Sequence, residues 1–168
     1  MKKLLLLLFI GIVGIVNAQT VNIPDTNFKA YLVGQASINT NGDADIQDSE
    51  AAAFDGDIDC AHMKIYDLTG IEAFTALTGL HCGENQLTSL DVTQNTALTW
   101  LNCAINQLTS LDVTKNTALT WLNCAVNQLT SLDVTKNTAL TGVNCAGNQL
   151  TSLDVTQNTA LTGLGVLC

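Results

Sequence analysis

Six cysteines, two histidines and a regular file of aspartates are the residues in this chain with chemistry to offer. Catalysis needs such groups to converge, a nucleophile beside a base or two carboxylates across a substrate. Here the spacing spreads them out. Asp91, Asp112, Asp133 and Asp154 recur every 21 residues, and so do Cys82, Cys103, Cys124 and Cys145. His62 and His81 stand isolated. Like is laid on like in columns, with no Ser/His/Asp or paired-acid constellation, so no catalytic residue is expected and the chain is read as a non-enzyme. Thiolates strung one per turn also cannot close a tetrahedron around zinc. Two residues with binding chemistry share the same period, Trp100 and Trp121. Tryptophan is a favoured interface anchor, and an exposed stacked pair calls for a cover.

The element that must position them is a repeat. Leu98-Thr99-Trp100-Leu101-Asn102-Cys103 opens a 21-residue unit whose copies begin at Leu77, Leu98, Leu119 and Leu140, with a clipped fifth at Leu161. Self-similarity of that period marks a solenoid. The apolar positions read L-x-x-L-x-C-x-x-N-x-L-x-x-L-x-V-x-x-N. One coil offers about six inward side chains, too few to offset the entropy of ordering it, so coils must stack. On the Leu-x-Cys strand, Trp100 and Trp121 face out beside Asn102, Asn123 and Asn144, with Ile105 and Val126 at the strand end and Gly79 and Gly142 flanking where a partner could approach. These are the candidate ligand-binding residues, for a protein or a glycan. The second phrase, Ser-Leu-Asp-Val-Thr, alternates as a short strand would. Its outward Ser110, Asp112 and Thr114 and their equivalents suggest the rival reading, a structural or cation-binding face, or an ice-binding one. Stacked aspartates repel, and Lys115, Lys136 or turn N–H groups are expected to compensate. Cys60, Cys82, Cys103, Cys124 and Cys145 form one inward column of small apolar filler. Cys168 falls outside it.

Two segments precede the solenoid. Residues 1–18 read as a secretory signal: basic Lys2 and Lys3, an apolar run from Leu4 to Val16, and small residues before a cut after Ala18. The apolar run is too short for a comfortable span, so no membrane span is expected once the signal is removed. Residues 19–57 read as a helical cap. Asp25 can cap a helix in which Phe28, Tyr31 and Leu32 fall at i, i+3 and i+4, and Gly34 supplies the stop. Within it, residues 39–50 resemble the twelve-residue EF-hand loop. That resemblance makes Asn39, Asn41, Asp43, Asp45 (through its carbonyl), Gln47 and Glu50 ligands for one weakly bound Ca²⁺. Asn39 stands where that loop favours Asp, and Ala44 where it needs Gly. An Asx-rich turn before a helix capped by Asp48 or Ser49 is the plainer reading.

Residues 58–168 form the solenoid. A formal charge of −9 with only six basic residues repels phosphate backbones, so no nucleic-acid partner is expected. An anionic membrane surface is disfavoured likewise.

The phrase L-x-x-L-x-C-x-x-N-x-L resembles the leucine-rich repeat, with the cysteines at a core leucine place and Asn85, Asn106, Asn127 and Asn148 as an asparagine ladder. The divergent first coil, Leu68-Thr69-Gly70-Ile71-Glu72, looks internalin-like. The whole chain is similar to secreted leucine-rich repeat proteins of Bacteroidetes-type bacteria. The resemblance implies a secreted or surface-associated adhesion or partner-binding protein, built as a right-handed α/β solenoid on a parallel sheet. No C-terminal cap is visible, so a truncated chain or end-to-end self-association is expected.

Overall fold

The computed structural model describes residues 19–162. Residues 1–18, read from the sequence as a signal, and the end of the clipped fifth unit, with Cys168, lie outside the described residues. Two short helices, α1 (Thr26–Val33) and α2 (Asp48–Ala53), precede five three-residue strands: β1 (Asp57–Asp59), β2 (Gly79–His81), β3 (Trp100–Asn102), β4 (Trp121–Asn123) and β5 (Gly142–Asn144). The strands make one parallel sheet in chain order. Each pairs with the equivalent residues of the next coil, so Asp57, Gly79, Trp100, Trp121 and Gly142 form one column. Asp59, His81, Asn102, Asn123 and Asn144 form the other. This is a solenoid with turns of about 21 residues, as its repeat predicts.

The strands are short because the chain must turn twice per coil. Their central residues, Ile58, Leu80, Leu101, Leu122 and Val143, are fully buried, as are Cys60, Cys82, Cys103, Cys124 and Cys145. The ladder continues through the cysteines: the N–H of Cys82 donates to Asn102 O and that of Cys103 to Asn123 O, both at 2.9 Å. The cysteine column is thus apolar filling. Cys60, Cys82 and Cys103 are free thiols, and burial pushes those of Cys60 and Cys103 up to about 12.

Two asparagine ladders stitch the coils together. Asn106 donates through Nδ2 to Cys82 O (3.0 Å) in the coil before and to Cys103 O (3.1 Å) in its own, while its Oδ1 accepts the Leu87 N–H (3.0 Å). Asn127 and Asn148 repeat the pattern. The second ladder, Asn95, Asn116, Asn137 and Asn158, spans two carbonyls of the preceding coil, as Asn116 does with Val92 O (2.8 Å) and Asn95 O (2.9 Å). Both ladders reach back toward the N-terminus, so each coil is ordered by the one that follows it.

The second phrase is not the strand its alternation suggests. Apart from an isolated bridge between Asp91 and Asp112, its backbone is irregular. Each aspartate there folds back on the residue two places on, and these local turns break a continuous ladder. A 3₁₀ turn at Ile71–Ala73 supplies the first coil's return, as the spacing of Leu68, Ile71 and Phe74 predicts.

The cap forms as expected. Asp25 is the N-cap of α1, its Oδ1 accepting from Asn27 N (2.9 Å) and Phe28 N (3.0 Å). Its Oδ2 accepts the Tyr66 N–H (2.9 Å) of the first coil. Phe28, Leu32, Ile38 and Ile46 join the solenoid core. The Tyr31 hydroxyl accepts the outward N–H of Asp59 at 3.0 Å, which covers part of the edge of β1. Helix α2 begins earlier than Asp48 or Ser49 would place it: its N-cap is Gln47. No described helix is long and apolar enough to cross a membrane.

Candidate functional site: the outward face of the sheet

Three of the four exposed large hydrophobic side chains among the described residues lie on the strands of the sheet or at the corners just after them: Ile105 (47% exposed), Trp121 (42%) and Val126 (52%). Trp100 is half-buried beside them. Strand register sets Trp100 against Trp121, yet the two indoles do not pack on each other. Trp100 meets His81 of β2 edge to face, with centroids 5.6 Å apart. Trp121 lies the other way, across Gly142 of β5: a Cβ placed there would fall 2.1 Å from its Cζ3. Gly142 is therefore the bed of the Trp121 ring and not an opening for a partner. At the other end, a Cβ on Gly79 would fall 2.5 Å from Asp57 Oδ1, so that gap is filled too.

The asparagine column is half-buried. Asn102, Asn123 and Asn144 accept the N–H groups of Ala104, Ala125 and Ala146 at 3.1, 3.2 and 3.1 Å. These bonds turn the chain at the end of each strand, into a left-handed corner one residue on. Ile105 and Val126 occupy that corner at φ 56° and 53°, where Gly147 stands in the next coil at φ 69°. His62 and Glu84 take the same corner at φ 59° and 54°, so the left-handed turn belongs to the repeat, and Ile105 and Val126 bear its strain on a branched Cβ. Of the seven residues read from the sequence as a ligand face, Trp100, Asn102, Trp121, Asn123 and Asn144 stand on β3, β4 and β5, and Ile105 and Val126 lie at the corners after β3 and β4.

Sequence reasoning missed the acidic end of that face. Asp57 and Asp59 take the outward places on β1, a position legible from Ile58-x-Cys60 preceding Leu80-x-Cys82 by 22 residues. Nor are the histidines isolated. His81 Nδ1 lies 3.2 Å from Asp59 Oδ1 and His62 Nδ1 lies 3.0 Å from Glu84 Oε2, each pair joining two coils.

The aspartates of the opposite side are compensated locally. Asp112 Oδ1 accepts both the Oγ1–H (2.7 Å) and the N–H (2.8 Å) of Thr114. These bonds, more than the neighbouring Lys115, hold its carboxyl below the usual range. Asp133 and Asp154 use Thr135 and Thr156 in the same way. Turn donors thus answer the repulsion.

In the loop at 39–50 the candidate calcium ligands bond to one another. Asn39 Oδ1 accepts the Gly42 N–H (3.1 Å), and Asn41 and Gln47 both donate amide hydrogens to Asp43 Oδ2, at 3.0 and 2.9 Å. Lys29 pairs with Asp45. Glu50 accepts the N–H groups of Thr40 (2.8 Å), Asn41 (3.1 Å) and Gln47 (3.1 Å). Its carboxyl sits below the usual range because these donors, with the Thr40 hydroxyl, outweigh its desolvation. Binding Ca²⁺ through these six residues requires that network to be exchanged for metal bonds, Glu50 above all.

No family model matches the chain. Over 72 residues it is 46% identical to Internalin J of Listeria monocytogenes serotype 4b (strain F2365), a match covering 43% of this chain and 8% of that protein. The solved functional domain of InlJ from Listeria monocytogenes, described as including a cysteine ladder, superposes with a TM-score of 0.76 at 47% identity, over 86% of this chain and 32% of that one. Internalin C2 of Listeria monocytogenes (strain 4b F2365) shares the fold at a TM-score of 0.63 and 16% identity, over 86% of this chain and 76% of that one. The chain thus spans about a third of the solved InlJ chain and a far smaller part of Internalin J itself. The buried column Cys60–Cys82–Cys103–Cys124–Cys145, the back-reaching asparagines and the 21-residue turn agree with that likeness: the solenoid matches the fold of the solved internalin leucine-rich repeats.

Proposed function

We propose that this chain is a non-catalytic binding module that docks a protein partner on the outward face of its parallel sheet, centred on Trp121 and Trp100 with Ile105 and Val126 at the rim. The carrying observation is the exposure of Ile105, Trp121 and Val126. A 21-residue repeat that buries leucine, valine and cysteine in every coil leaves these three large apolar groups in water, Trp121 on β4 and Ile105 and Val126 at the corners after β3 and β4. Water-exposed aromatic and branched residues in one patch mark interaction surfaces. The likeness to internalins is consistent with that reading. Export is part of the proposal, resting on the signal-like character of residues 1–18.

The test is a Trp100→Ala/Trp121→Ala chain probed beside the wild type on arrays of extracellular proteins and of glycans. Protein ligands held by the wild type and lost by a variant that melts at an unchanged temperature support the proposal. Ligands confined to the glycan array, or protein ligands retained by the variant, contradict it.

A further inference from the structure

We propose that the segment seated on this face is cationic at one end and apolar at the other. A lysine or arginine of the partner lies against Asp57 and Asp59 on β1, and a branched or aromatic side chain covers Trp121. This inference rests on the docking role proposed above and names the chemistry of its partner.

The argument is charge complementarity across a graded surface. The outward residues of the five strands are Asp57, Asp59, Gly79, His81, Trp100, Asn102, Trp121, Asn123, Gly142 and Asn144. Both formal negative charges sit on β1, no outward position carries Lys or Arg, and exposed Glu84 adds a third carboxylate at the corner after β2. Among the described residues the lysines lie elsewhere. Lys29 is paired with Asp45 in the cap, Lys115 and Lys136 follow the aspartates of the other side, and Lys64 lies beyond the corner after β1. An acidic partner would meet uncompensated repulsion on β1. A cation gains there from the carboxylates.

The surroundings fix both ends. Asp57 Oδ1 is held by the Thr78 hydroxyl at 2.9 Å. Asp59 is held against His81, whose ring in turn meets Trp100. At the apolar end, Trp121 is laid over Gly142. Strands about 4.8 Å apart put the Asp57 position roughly 14 Å from that of Trp121. An extended peptide crossing the strands covers this in about four residues. The recognised segment therefore carries its cation three to five residues from its apolar anchor.

The experiment selects a displayed library of random dodecapeptides on the full chain, with Trp100→Ala/Trp121→Ala as counter-selection. Synthetic copies of enriched peptides are then titrated by tryptophan fluorescence, which reports on the site because Trp100 and Trp121 are the only tryptophans. The expected peptides carry Lys or Arg three to five residues from an aromatic or branched residue. They should lose roughly five- to tenfold in affinity for Asp57→Asn/Asp59→Asn, the scale of two exposed ion pairs. The wild type should show a comparable loss between 50 and 500 mM salt, a reading independent of any variant's folding. Peptides lost on the tryptophan variant but showing neither a cation excess nor salt dependence overturn this inference and leave the docking face standing. Enrichment that survives the tryptophan variant, or no enrichment at all, counts against both.

Discussion

Ile105 and Val126 hold a backbone conformation that their side chains oppose. A left-handed residue with a branched Cβ costs about 1–2 kcal/mol, and glycine would remove that cost at the price of roughly 0.5–1 kcal/mol of backbone entropy. Ile105→Gly or Val126→Gly is therefore expected to raise stability slightly, by roughly 0.5–1 kcal/mol in urea unfolding, while weakening partner binding. A destabilised variant, or one that binds as well as wild type, would separate the strain from the site. Their place at the strand end was legible from the repeat, whereas their φ values were not. The visible clue was Gly147 in the same column. The lean of the two indoles was also hidden from the sequence. Period alone stacks Trp100 on Trp121, but one ring lying across Gly142 bars the same pose to a ring one coil earlier, where Trp121 replaces the glycine.

At the scale of elements, the cap was the most legible part. Phe28, Tyr31 and Leu32 at helical spacing between Asp25 and Gly34 marked α1 from end to end. What no local pattern carries is the second carboxylate oxygen of Asp25, which ties that helix to Tyr66, 41 residues on. The Ser-Leu-Asp-Val-Thr phrase misled for a related reason: its alternation is real, but Asp-x-Thr turns take the N–H groups a ladder would need. The loop before α2 allows a direct test. Glu50 has its pKa lowered by folding, so its contribution to stability is present above its unfolded value near 4.5 and disappears as pH falls through the folded value. Glu50→Gln is expected to lower stability at pH 7 by about 1–2 kcal/mol, the loss of a charged cap, and by less toward pH 4. We expect the same loss in EDTA and in calcium. Calcium-dependent melting that disappears in Glu50→Gln would instead make the six loop residues a metal site.

The whole molecule follows from the inability of a single coil to bury both its faces. Period, inward columns and outward columns were all readable from L-x-x-L-x-C-x-x-N because each coil obeys the same constraint. The divergent first coil was readable only in part, and the acidic end of the outward face was missed there. Stacking also sets the response to alkali. Cys60, Cys82 and Cys103 have thiols raised by burial, so their contribution is complete below the unfolded value near 9 and is lost progressively as pH climbs above it. Each can remove up to about 1.4 kcal/mol per pH unit. Stability should fall steeply above pH 9, and a Cys82→Ala/Cys103→Ala chain, weaker at pH 7, should fall less steeply. The claim on which the account turns is that the outward face is covered when the protein works. Acrylamide quenching of Trp121 in a Trp100→Phe chain, with and without a bound peptide or protein ligand, measures this directly. Ready quenching in the free chain and a several-fold drop in the complex is the expected result. Equal quenching in both, with binding independently verified, would place the partner elsewhere.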